Sequence, residues 1–165
     1  MTSIIKVDQM QNTVGDTALI IDNGGRVLQP TKPAFKAYNN ANAWQAIGNS
    51  GVWYTLTFPT QDHNIGGHYD TGTYTFTCPS TGVYFFGAQM QHDANDSARI
   101  RILINGTDDI AMAENSTQGD MSQINTTHYM TAGDTVVAQG KFGNVNADDW
   151  YASAKASYFF GYLIG

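Results

Sequence analysis

From Pro33 to the C-terminus, short apolar and aromatic runs alternate with clusters of Gly, Asn, Asp and Pro. The runs read "AFKAY", "VWYTLTF", "GTYTFTC", "GVYFFGAQMQ", "ARIRILI", "DIAMAEN", "SQINTTHYM", "DTVVAQGKF" and "ASYFFGYLI". Their length and their β-branched and aromatic content predict strands, and the residues between them predict turns. Many short strands at close intervals indicate an all-β sandwich and not a parallel sheet with crossover helices. In "ARIRILINGTDDIAM", Arg99 and Arg101 alternate with Ile100 and Ile102, and Asn105-Gly106 supplies a hairpin turn.

Two runs break the alternation expected of a sheet with one wet face. Val83, Tyr84, Phe85 and Phe86 are consecutive, and in "SYFFGYLI" the residues Tyr158, Phe160 and Tyr162 project to one side while Phe159 and Leu163 project to the other. One side fills a sandwich core and the other needs a cover. With no helix available, another copy of the chain is the economical cover. Tyr84, Phe86, Tyr158, Phe160 and Tyr162 are therefore assigned to a subunit interface. The alternative is a single larger core that buries both faces within one subunit.

Composition sharpens this picture. Glu occurs once, at Glu114, and Leu only at positions 19, 28, 56, 103 and 163, the reverse of a helical composition. With 14 acidic against 8 basic residues and a net charge of −6, a nucleic-acid partner is not expected. No apolar run approaches the ~18 residues of a membrane span, so no membrane insertion is expected. Cys78 is the single cysteine and reads as a small buried hydrophobe beside a turn.

Residues 1–31 form a different kind of segment. "SIIKV" and "ALIID" are short β-like runs around an "NGG" turn, and they carry too little apolar area to stand alone. The segment is expected to be an arm that orders on a partner or on copies of itself. It ends at the breakers Pro30 and Pro33, with residues 32–165 as the sandwich domain.

Within that domain Phe58, Asn64, Tyr69, Phe76, Gly82, Tyr84 and Phe86 stand at spacings that resemble the aromatic signature of the complement C1q globular-domain family, with Ala88 where an aromatic is usual. "PAFKAY", "INGTDDI", "MTAGDTVVAQ" and "SYFFGYLIG" are similar to flanking segments of the same family. The resemblance implies a ten-stranded jelly roll of the C1q and tumour necrosis factor type that assembles as a homotrimer. The arm resembles the short leaders of phage virion proteins, and the chain has neither the secretion signal nor the collagen stalk usual in animal members of the family. This favours a virion location over a complement or hormone role.

Asp93, Asn95 and Ser97 open like an EF-hand loop, but Ala98 and Ile104 stand where glycine and the closing acid are needed, so a solvated turn is the reading. Asp62, His63, His68 and Asp70 lack zinc spacing, and Asp70 reads as a turn acid. No nucleophile elbow, Ser-x-x-Lys pair or poised Cys-His pair survives its context, so the protein is not expected to be an enzyme. "NVNADDW" places Asp148 and Asp149 beside Trp150; the resemblance implies that this loop lies near an exposed apex where some relatives bind calcium. No cofactor is required, and calcium at Asp148 and Asp149 is the one metal retained.

The expected function is non-enzymatic: a phage virion protein whose trimeric tail-fibre or appendage knob recognises a host-surface glycan or protein, or alternatively a decoration protein that cements the capsid. The loops expected to touch a receptor carry Asp93, Asn95, Asp96, Asn115, Gln118, Asn144, Asn146 and Trp150.

Overall fold

The structure is a computed structural model that describes residues 5–46, 51–92, 97–115, 121–143 and 150–165. The chain divides into two compact units, Met1–Lys32 and Pro33–Gly165.

The first unit is an antiparallel sheet of β1 (Gln9–Gln11), β2 (Thr17–Ile21) and β3 (Val27–Leu28) in that order. Its turns are tied by side chains. Asn12 Oδ1 accepts from the amides of Val14 and Asp16 at 3.0 and 2.9 Å. Asp22 accepts from the amides of Gly24 and Arg26 and from the Arg26 guanidinium, whose hydrogen bond holds the Asp22 carboxyl below its ordinary value. No described residue from Ile5 to Lys32 is buried, and Ile5 and Val14 are 87% and 81% exposed. The local turn chemistry is complete, and the hydrophobic term is missing.

The second unit is a two-layer β-sandwich with no helix among the described residues. Its strands are β4 (Ala34–Tyr38), β5 (Ala43–Gln45), β6 (Tyr54–Thr55), β7 (Thr60–Ile65), β8 (Tyr69–Asp70), β9 (Thr75–Thr77), β10 (Gly82–Gln91), β11 (Ala98–Ile104), β12 (Asp108–Asn115), β13 (Met121–Met130), β14 (Thr135–Phe142), β15 (Trp150–Ala152) and β16 (Tyr158–Leu163). One sheet runs β13-β10-β16-β4-β7, and the other runs β12-β11-β14-β9-β8 with β6 also pairing β14. A small ribbon pairs β15 with β5. The expected hairpin joins β11 to β12, and Asn105 and Gly106 take positive φ of 51° and 74° as that turn requires.

An aromatic stack fills the space between the sheets. The Phe35 ring lies 4.9 Å from Tyr69, 4.8 Å from Phe76 and 4.9 Å from Phe159. Tyr84 and Phe86 stack at 5.9 Å beside them and have no exposed surface. From the other sheet come Ile100, Ile102, Val136, Ala138 and Phe142. Burying each large apolar side chain contributes roughly 1.5–3 kcal/mol. Cys78 is buried within the same core as a free thiol.

Gly161 shows how tightly the rings meet. A Cβ there would lie 2.4 Å from Phe86 Cδ1 and 2.9 Å from Phe35 Cε1, so only hydrogen fits at this inward position. Gly161→Ala should therefore lower stability by about 1–3 kcal/mol through overpacking. Urea unfolding would show a lower midpoint with an unchanged slope, and an unchanged midpoint would contradict the packing described.

Asp134 generates a pH prediction. The Asn105 side chain donates to its carboxylate at 2.8 Å and the Thr131 amide donates at 2.7 Å; the first of these is the larger cause that holds its carboxyl below the ordinary 3.8. A depressed carboxyl stabilises the fold fully above the unfolded value and loses that contribution as pH falls through the folded one. Asp134→Asn should be less stable than the natural protein at neutral pH. The gap measured by thermal melts should close as the pH drops below about 4.

Candidate functional site

The two outer faces of the sandwich differ in chemistry. On the β11–β14 side, Arg99 pairs with Glu114 at 2.9 Å and Arg101 with Asp109 at 2.8 Å. The Arg101 guanidinium also donates to Gln139 Oε1 at 2.6 and 3.0 Å and lies 4.3 Å over the Trp53 ring. This is a solvated, salt-bridged face whose polar groups are satisfied by one another.

The outer face of the β10 sheet is aromatic and amide-rich. Register fixes its members: Val83 stands opposite Tyr129, Phe85 opposite Thr127 on one flank and Tyr162 on the other, and Gly87 opposite Asn125 and Phe160. Phe85 stacks on Tyr162 at 5.4 Å and lies 5.9 Å from Phe160, which lies 6.1 Å from Tyr158. A Cβ at Gly87 would come within 2.5 Å of the Phe160 ring, so the missing side chain lets that ring cross β10. Tyr129 is 65% exposed, Tyr162 43% and Val83 36%. Across β13, β10 and β16 the outward residues carry no charge. A cation, Lys36 on β4, rests with Nζ 5.1 Å from the Tyr158 ring centroid.

The cooler half of this face is held by amides. Tyr158 donates its hydroxyl to Gln89 Oε1 at 3.1 Å, and Gln89 Nε2 donates to the Ala156 carbonyl at 3.1 Å. These bonds fix Tyr158 in the plane of the face.

Three assignments made from the sequence change here. Tyr84 and Phe86 are not interface residues, because both point inward and are buried completely within the subunit. The outward residues of that strand are Val83 and Phe85, which the sequence reading passed over. Parity was the signal, since Tyr84 and Phe86 share a face with Ala88 and Met90, and these are core residues. Trp150 is not a loop anchor. It is 2% exposed, pairs with Gln45, bridges to His92 and meets Phe58 edge-on at 5.9 Å. Tyr158, Phe160 and Tyr162 do lie together on the outward face.

Of the remaining loop residues, Asn115 closes β12 with Nδ2 3.4 Å from the Met121 carbonyl oxygen. Asp93, Asn95, Asp96, Gln118, Asn144, Asn146, Asp148 and Asp149 lie outside the described residues. Among the described residues no group of three or more His, Cys, Asp or Glu side chains gathers as a metal site. Asp70 caps its own turn, accepting from the Gly72 amide at 2.7 Å and the Thr73 hydroxyl at 3.0 Å; the first of these bonds is the larger cause of its lowered carboxyl value. His63 faces Asp62 at 3.1 Å on the exposed edge strand β7.

Solved structures similar to this chain share the sandwich. The globular domain of zebrafish complement 1qA protein superposes with a TM-score of 0.64 at 18% identity, covering 81% of this chain and 98% of that one. Murine APRIL gives 0.63 at 9% identity over 80% of this chain and 98% of its own, and Eiger TNF from S. frugiperda gives 0.57 at 11% over 82% and 94%. These superpositions establish a common fold. No curated protein matches the sequence. The model of the C1q domain family matches residues 34–164, nearly the whole second unit, and the chain therefore belongs to the C1q domain family.

Proposed function

We propose that the protein is a homotrimeric, non-enzymatic recognition module carried on a phage virion, with the jelly roll as the host-contacting knob and the N-terminal unit as its attachment element. The observation that carries this reading is the contrast between the two outer faces. A domain with eleven acidic and five basic side chains beyond residue 32 repels its own copies through most of its surface. The outward residues of β13, β10 and β16 carry no charge, with Lys36 of β4 at their edge, and Val83, Phe85, Tyr129, Phe160 and Tyr162 offer contact area. Three copies packed by this face about a threefold axis close the assembly and leave the salt-bridged faces in water.

The N-terminal unit supports the second half of the reading. It has three basic and three acidic residues and no buried side chain among its described residues, so its apolar positions await a partner surface that a particle protein would supply. No catalytic constellation enters the reading. Three copies of each loop at one end of a trimer would engage repeated surface groups, and weak single contacts would gain strength by avidity.

Two experiments test it. Phe85→Asp and Tyr162→Asp each place an unpaired charge in the proposed interface and should convert the trimer to a folded monomer in sedimentation velocity, whereas Tyr84→Asp should unfold the domain. A fully trimeric Phe85→Asp protein overturns the interface. Immunogold labelling of particles should mark tail fibres, and purified trimer should block host adsorption. Labelling of the head shell with loss of particle stability on removal would replace the receptor role by capsid decoration.

A further inference from the structure

A cleft of about 280 Å3 opens where the β5–β15 ribbon meets β6, lined by Gln45, Ala46, Tyr54, Thr55, Thr57 and Trp150. Trp150 in its lining pairs with Gln45, bridges to His92 and meets the Phe58 ring. Its rim has unused hydrogen-bonding capacity. Gln45 Nε2 donates to the Trp44 carbonyl at 3.0 Å, which leaves Oε1 as an acceptor. Thr55 Oγ1 accepts from Gln139 Nε2 at 3.2 Å and Thr57 Oγ1 accepts from Asn39 Nδ2 at 3.3 Å, so each hydroxyl keeps its own proton to donate.

Two hydroxyl donors, an amide acceptor and aromatic side chains, with no Lys, Arg, Asp or Glu among the described residues of the lining, suit a ligand whose groups both donate and accept and which carries no charge. An anionic ligand would find no cation among these residues, and it would face a chain of net charge −6. The volume falls just below the ~300 Å3 at which pockets for drug-sized ligands begin, which fits one ring and not a chain of them. We propose that this cleft binds a single neutral hexopyranose residue of a surface polysaccharide. The proposal rests on the recognition reading above and gives it a ligand class.

The test is saturation-transfer NMR on the full chain with the methyl glycosides of glucose, galactose and mannose, and with glucuronic acid as the charged comparator. At least one neutral glycoside should bind with a millimolar constant, and glucuronic acid should not. Ala46→Trp fills the exposed rim and should abolish the signal, and Gln45→Leu should weaken binding about tenfold by leaving a ligand hydroxyl unpaired. Both variants should keep the natural oligomeric mass, which separates a lost site from a lost fold. Undiminished binding in Ala46→Trp, or binding of glucuronic acid alone, overturns the site. If no neutral glycoside binds while the protein still blocks host adsorption, the cleft assignment fails and the recognition reading stands. If glycoside binding is present and adsorption is unaffected, the cleft stands and the recognition reading fails.

Discussion

The pairing of β10 with β16 at the centre of one sheet sets the rest of the jelly roll. These two strands place aromatic rings on both of their faces, so every inward ring must find room in the core and every outward ring must find a cover. Inward, Tyr84, Phe86 and Phe159 interlock with Phe35, and Gly161 gives up its side chain so that Phe86 and Phe35 can close over it. Outward, Gly87 gives up its side chain so that Phe160 can cross β10. One glycine on each strand thus settles the packing on opposite faces of the same sheet.

The consequence reaches the surface. Because the inner face is already filled by the subunit's own rings, the outward aromatics contribute nothing to the monomer core. Their burial is available to assembly alone. The opposite outer face follows a different logic, with Arg101 shared among Asp109, Gln139 and the Trp53 ring, so that its polar atoms are satisfied without a partner. A single domain thereby presents one salt-bridged outer face and one aromatic outer face.

Much of this was legible in the sequence. The β11–β12 hairpin follows from Arg-Ile alternation and Asn-Gly, and the long strands follow from runs of β-branched and aromatic residues. What failed was parity in a run without alternation: Val83, Tyr84, Phe85 and Phe86 are all apolar, so nothing local says which pair points inward, and only the partner strands decide it. Trp150 failed for another reason. Its strand β15 is three residues long and pairs with the equally short β5, a contact across more than a hundred residues that no local pattern announces. The polar strand β7, "TQDHNI", is not among the runs predicted as strands, because an edge strand needs few apolar residues to hold its place.

The measurement to make is the solution mass, by light scattering, of residues 33–165 without the N-terminal unit. If the outward aromatics of β10 and β16 drive assembly, the mass will be three times that of the truncated chain and will hold on dilution through the micromolar range. A monomer would contradict the account, because it would mean that rings such as Phe85 and Tyr162 stay in water and that assembly, where it occurs, is imposed from outside the jelly roll.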